Sequence, residues 1–143
     1  AMKVVNILQS KGAEVYAVTD TDPVEKAVSL LTDKNIGAVV VKDAAGKVAG
    51  ILSERDIVRH LKEKGPAVLS AQVKHCMSKN PHTCKPDDSV DELMNIMTNR
   101  RVRHLPVVNG GKLMGLVSIG DVVKRKIEEI EHEAQALKQY ISS

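Results

Sequence analysis

The chain has 143 residues, with 21 Lys and Arg against 18 Asp and Glu, and its aromatics are two Tyr with no Phe or Trp. A length of this order suits a core built here from Val, Ile, Leu, Met and Ala, while the missing aromatics and a net charge of +3 spread among acidic residues exclude a nucleic-acid stacking platform or basic stripe. No apolar run approaches the ~20 residues a membrane span needs, Ala1-Met2-Lys3 opens no signal-peptide core, and two Cys make no disulfide framework, so a cytoplasmic protein with no membrane partner is expected.

Val4-Val5-Asn6-Ile7-Leu8 is short and apolar and ends at Lys11-Gly12. Val15-Tyr16-Ala17-Val18 predicts a short strand. Asp22-Pro23 then starts a helix, with Asp22 as N-cap, Pro23 at the first helical position and Glu25 in the capping-box place. Val24, Ala27, Val28 and Leu31 follow at i, i+3, i+4 and i+7, one buried face. Asn35-Ile36-Gly37 closes that helix. Ala38-Val39-Val40-Val41 predicts a strand buried on both faces. Asp43-Ala44-Ala45-Gly46 turns the chain into a partner strand over residues 48–52, and Ser53 opens a helix through Ile57, Val58 and Leu61. A linker is expected over residues 62–70, around Gly65-Pro66.

The same plan then returns. His82-Thr83-Cys84 predicts a first strand, and Val90, Leu93, Met94 and Met97 a helix stripe. Leu105-Pro106-Val107-Val108 and residues 113–117 form a hairpin turning through Asn109-Gly110-Gly111. Asp22-Pro23-Val24 matches Asp88-Ser89-Val90, and Gly50-Ile51-Leu52-Ser53-Glu54-Arg55-Asp56 matches Gly115-Leu116-Val117-Ser118-Ile119-Gly120-Asp121, with one residue lost in between. A repeat of this kind fixes architecture before any single motif does. The reading is an α/β fold of two pseudo-twofold-related units, each strand-helix-strand-strand-helix, with grooves where the copies meet. A long C-terminal helix follows from about Ile119 to Ser142. Val123, Ile127, Ile130, Ala134, Leu137 and Ile141 recur along it at heptad spacing, with Lys124–Glu128 and Arg125–Glu129 as wet-side pairs. Such a seam fits a helix lying across its own domain, or self-association, and a homodimer through or beside this helix is expected.

Gly-x-x-Ser-x-x-Asp, occurring as Gly50, Ser53, Asp56 and as Gly115, Ser118, Asp121, carries the chemistry. A Gly late in a strand admits a ligand or another backbone. A Ser hydroxyl and free N–H groups at a helix start suit a phosphate, and an acidic residue in the first turn can accept from a ribose diol. The same pattern also fits a capping box. Arg100-Arg101-Val102-Arg103-His104 puts four basic groups in five positions, which suits an anion or a solvated helix end. His75, Cys76, His82 and Cys84 do not match zinc spacings, so no metal is expected. His60 and His132 read as surface residues. No nucleophile elbow, HExxH or Walker loop is present, so neither catalysis nor a catalytic cofactor is expected.

These repeated endings, the hairpins and Arg103-His104-Leu105-Pro106-Val107-Val108 resemble a tandem pair of CBS domains, similar to small stand-alone bacterial CBS-pair proteins, over residues 7–127. The resemblance implies a first repeat over 7–65, a second over 73–130 and a helical extension over 131–143. It implies a regulatory, energy- or redox-sensing module that binds AMP, ADP, ATP, NAD(H) or S-adenosylmethionine in clefts between repeats and relays occupancy to a partner protein. Asp56 and Asp121 match the family's ribose-binding aspartates, and Ser53 and Ser118 its hydroxyl contacts. Arg55 matches a basic phosphate position that Gly120 replaces in the second copy. Arg100, Arg101, Arg103, His104 and Pro106 match the segment leading into the second strand, whose first-copy equivalents include Lys34, Asn35, Gly37 and Ala38. Tyr16, Val18, Thr83 and Cys84 stand on first strands, where the family contacts adenine. The rival from another class is a structural interaction module with no physiological ligand. A nucleic-acid partner is not expected.

Overall fold

A computed structural model describes residues 2–12 and 14–142. The elements are α1 (Val4–Lys11), β1 (Ala17–Thr19), α2 (Val24–Lys34), β2 (Ala38–Lys42), β3 (Val48–Ser53), α3 (Glu54–Lys64), β4 (Ser78–Lys79), α4 (Val90–Arg100), β5 (His104–Asn109), β6 (Lys112–Ser118) and α5 (Ile119–Ser142), with 3-10 turns at Gly65–Ser70 and Val73–His75. One sheet runs β1-β2-β3-β4, with β1 parallel to β2 and the rest antiparallel; the other is the β5-β6 hairpin. Each long hairpin carries a register shift at the matching place, Val41/Lys42 and Val107/Val108.

Each copy has its own apolar core. Val24, Ala27 and Leu31 pack with Val39, Val41 and Leu52; Val90, Leu93 and Met97 pack with Leu105, Val107 and Val117. The helix spacing and the β-branched run place these side chains inside. A segment ahead of each copy closes the core of the other. Val4 N–H donates to Asp88 O (2.9 Å) and Val90 N–H to Met2 O (3.0 Å); in the same pattern Val73 N–H donates to Asp22 O (2.8 Å) and Val24 N–H to Ala71 O (2.9 Å). Val4 and Ile7 of α1 therefore belong to the second core, although residue 7 falls in the first repeat by sequence. Val68 and Val73, in and beyond the expected linker, are fully buried in the first core. The linker is thus structured: α3 runs to Lys64 and a 3-10 turn continues from Gly65 with Pro66 near its start.

Other local expectations change for identifiable reasons. Asp22 does not cap α2; Pro23 holds the cap position, and the Asp22 carboxylate instead accepts from Thr19 N–H (2.8 Å) and pairs with Lys26 (3.4 Å). Asp88 closes the equivalent turn by accepting from Lys85 N–H, while Ser89 caps α4 by accepting from Glu92 N–H. The first strand of the second copy shrinks to a parallel bridge between Cys84 and Val107. Ser78 and Lys79 join the first copy's sheet instead. His60 is half-buried rather than a surface residue. On α5 the acid–base pairs that form are Arg125–Glu128 (2.6 Å) and Lys126 with Asp91 (3.0 Å) and Glu129 (3.8 Å), in place of the expected i,i+4 pairs. Among the described residues, no helix is long and apolar enough to cross a membrane.

Candidate functional site

Two grooves of nearly equal volume, about 580 and 590 Å³, lie between the copies, a size suited to small-molecule ligands. Each takes a Ser-x-x-Asp turn from one copy and the segment leading into the second strand from the other. Gly37 and His104 line both grooves and form the wall between them.

The first groove holds Ser53, Arg55 and Asp56 at the β3–α3 junction, facing Arg101, Arg103 and His104 at the α4–β5 junction. Asp56 is 5% exposed. Its Oδ2 accepts from Ser53 N–H and Oγ (both 3.0 Å), and its own N–H donates to Ser53 Oγ (3.3 Å), which completes a capping box. Arg59 (2.8 Å) and Ser78 (3.3 Å) donate to Oδ1. Arg55, Arg59, Lys79, Arg101 and Arg103 make five cations along this groove, against the carboxylates of Glu54 and Asp56. Arg101 ends α4 in the left-handed region (φ 54°), where Asn35 ends α2 (φ 53°). Asn tolerates that conformation; Arg adopts it at a cost of order 1 kcal/mol, the kind of strain that clusters at functional sites.

The second groove holds Ser118 and Asp121 at the β6–α5 junction, facing Tyr16, Asn35 and Ala38. Lys11 reaches in from the end of α1. Its Nζ donates to Asp121 Oδ2 (2.7 Å) and Leu116 O (2.8 Å). Ser118 N–H donates to the same Oδ2 (2.9 Å), and Asp121 N–H to Ser118 Oγ (3.1 Å). Burial pushes the Asp121 carboxyl up, but the Lys11 ammonium and the Ser118 bonds outweigh it and hold the group below the usual carboxylate range. Glu14 adds a second acid to the lining of this groove. Tyr16 is half-buried, and its hydroxyl donates to Glu14. His104 is lowered by burial first and by Lys11 and Arg103 after it, against Asp121 and Glu54, so the shared wall favours the neutral imidazole.

The residues singled out by sequence thus divide. Ser53, Arg55, Asp56, Arg101 and Arg103 come together in one groove; Tyr16, Ser118 and Asp121 in the other; His104 touches both. Val18 is buried in the first core and Pro106 is buried in β5; Thr83, Arg100 and Gly120 are exposed, and none of the five lines a groove. The two glycines admit protein: a Cβ on Gly50 would meet Ser78 O at 2.5 Å, and one on Gly115 would meet Leu8 Cδ2 at 2.6 Å. Sequence reasoning missed Lys11, Arg59, Ser78 and Lys79. Arg59 alone carried a local signal, one helical turn after Asp56. Among the described residues no cluster of three or more metal-ligating side chains forms. Burial keeps the Cys84 thiol protonated, pushed up to about 12, and raises Cys76.

Two interlaced copies enclosing paired grooves define a tandem-repeat regulatory module. The sequence profile of the CBS domain matches residues 10–63 and 73–128, and the chain belongs to the CBS-domain family, carrying two copies of the domain in tandem. It is 43% identical to the CBS-domain-containing protein ATU1752 of Agrobacterium tumefaciens, with TM-score 0.83 over 88% of this chain and 94% of that one. It is 35% identical to the mitochondrial CBS domain-containing protein CBSX3 of Arabidopsis thaliana, over 95% of this chain and 70% of the relative. Two more distant structures share the fold: CBSX2 in complex with AMP (21% identical, TM-score 0.72, 90% of this chain and 98% of that one), and the CBS pair of MJ0100 in complex with 5-methylthioadenosine and S-adenosylmethionine (22%, 0.79, with the same coverages).

Proposed function

We propose that the chain senses an adenosine-containing ligand, and that the Asp56 groove takes one with an anionic tail, such as AMP, ADP, ATP or NAD(H). The observation that carries this is the meeting of Ser53 and Asp56 from one copy with Arg101 and Arg103 from the other. A ribose diol replaces Arg59 and Ser78 as donor to Asp56 Oδ1, which frees the Arg59 guanidinium for a phosphate. Arg103, Arg101 and Arg55 supply further cationic donors, and charge-assisted bonds of this kind contribute about 1.5–3 kcal/mol each. The Asp121 groove, with two acids and Lys11, suits a nucleoside with little negative charge. The ligands named for the two distant structures support the adenosine class. Occupancy is relayed to a partner protein because the ligand joins two copies and favours one arrangement of them. The protein acts in the cytoplasm as a homodimer, with energy or redox state as the variable sensed.

A second reading has one observation in its favour. The Asp56 carboxylate already has a full set of protein donors, as a purely structural interaction module requires. Titration calorimetry of the whole chain with adenosine, AMP, ADP, ATP, NADH and S-adenosylmethionine separates the two. The nucleotide reading gives binding that strengthens with phosphate and weakens about tenfold or more in Arg103→Met, while adenosine is little changed. Absence of heat with every compound favours the interaction module, whereas binding that is equal in wild type, Asp56→Asn and Arg103→Met refutes the Asp56 groove as the nucleotide site.

A further inference from the structure

Of the apolar seam on α5, Val123, Ile127, Ile130, Leu137 and Ile141 are 42%, 50%, 52%, 59% and 73% exposed, while Val122 is the residue that α5 buries. Every residue over 130–142 is exposed. A helical end of that length is marginal alone in water, and its stability has to come from packing an apolar face. The seam is spaced at heptad intervals from Val123 to Ile141, so it stays on one side of the helix beyond the domain.

We propose that α5 pairs with α5 of a second copy as a parallel, in-register coiled coil. This goes beyond the sensing role and does not depend on the ligand. The apolar residues alone do not set the direction, because an antiparallel pair would also match them, Val123 against Ile141, Ile127 against Leu137 and Ile130 against Ala134. The flanking charges decide it. With Ile127, Ala134 and Ile141 at a positions, Lys126 and Glu133 stand at g, and Lys124, Glu131 and Lys138 at e. In a parallel dimer g of one helix meets the following e of the other. Lys126 then meets Glu131 of the partner subunit, and Glu133 meets Lys138 of the partner subunit, each pair formed twice by symmetry. In an antiparallel dimer Glu131 and Glu133 each face their own copies, and Lys124 faces Lys138, so like charges oppose along both edges. Lys126 is held by Asp91 within its own chain, which makes Glu133 and Lys138 the better probes.

Sedimentation equilibrium of the full chain gives a dimer, and Ile130→Asp with Leu137→Asp gives a monomer whose far-UV melting of the two cores is retained, because neither side chain enters a core. Glu133→Lys weakens the dimer about tenfold, and adding Lys138→Glu restores it. Ile141→Cys chains mixed with Val123→Cys chains and oxidised gently form links between like positions. A monomeric wild type overturns the proposal. So does a dimer that survives the two Asp substitutions, which would place the interface elsewhere, for example at the exposed Val58 and Leu61 of α3. Links that join position 123 to position 141, or a double charge reversal that fails to restore association, overturn the parallel direction.

Discussion

Gly50→Ala tests how the two copies are locked around the first groove. A Cβ there would lie 2.5 Å from the backbone carbonyl of Ser78 and 2.7 Å from Met77 Sδ. The carbonyl belongs to β4, whose register pairs Gly50 with Lys79 and Ile51 with Ser78, so it cannot retreat without loosening that pairing. Overpacking against backbone costs about 2–3 kcal/mol, offset by the roughly 0.5–1 kcal/mol that Ala gains over Gly inside a strand. The net loss is about 2 kcal/mol, which lowers Tm by about 6 °C in a chain of this size. Gly115→Ala is the control. Its Cβ would meet Leu8 Cδ2 at 2.6 Å, with the next atoms of Leu8 at 3.7 and 3.8 Å, and a rotamer adjustment of one side chain costs about 0.5–1.5 kcal/mol. That variant stays within about 1 kcal/mol of wild type. Urea unfolding followed by far-UV circular dichroism measures both. A Gly50→Ala protein as stable as wild type, or less damaged than Gly115→Ala, refutes the close-approach account.

Lys11→Met removes the ammonium from Asp121; burial is then opposed only by the Ser118 bonds, and the carboxyl rises. Since a depressed carboxyl stabilises the fold above its unfolded pKa and loses that contribution as pH falls through the folded one, the variant loses less stability on acidification. Carboxyl NMR titration that finds Asp121 unmoved contradicts this. Arg101→Gly relieves the left-handed backbone and stabilises the fold by about 0.5–1 kcal/mol, yet binds a phosphate-bearing nucleotide about tenfold more weakly; stability and affinity moving together would show that Arg101 serves the fold. His104 binds its proton less readily folded than unfolded, so it costs stability as pH falls from about 6.5 toward its lowered folded value. His104→Gln flattens that part of the pH profile of urea unfolding, and an unchanged slope assigns it to another histidine.

The fold was legible where side-chain period alone decides structure. Val24, Ala27 and Leu31, the run from Ala38 to Val41, and both hairpins sit where their spacing predicts. The lacing of residues 2–4 and 71–73 across to the opposite copy was not legible, because it is made by backbone hydrogen bonds between segments distant in sequence. The same holds for the site. The repeated Ser-x-x-Asp turns announced themselves, and each serves as a cap while lining a groove. Which arginines face which aspartate depends on how the copies cross, and Lys11 reaches Asp121 from the other end of the chain.

Nucleotide sensing at the Asp56 groove is tested by a crystal structure of the full chain grown with AMP. The expected result is the nucleotide in the Asp56 groove, its ribose diol on the Asp56 carboxylate and its phosphate on Arg103 or Arg101. An unoccupied Asp56 groove at saturating AMP, with the Arg59 and Ser78 bonds to Asp56 intact, contradicts it.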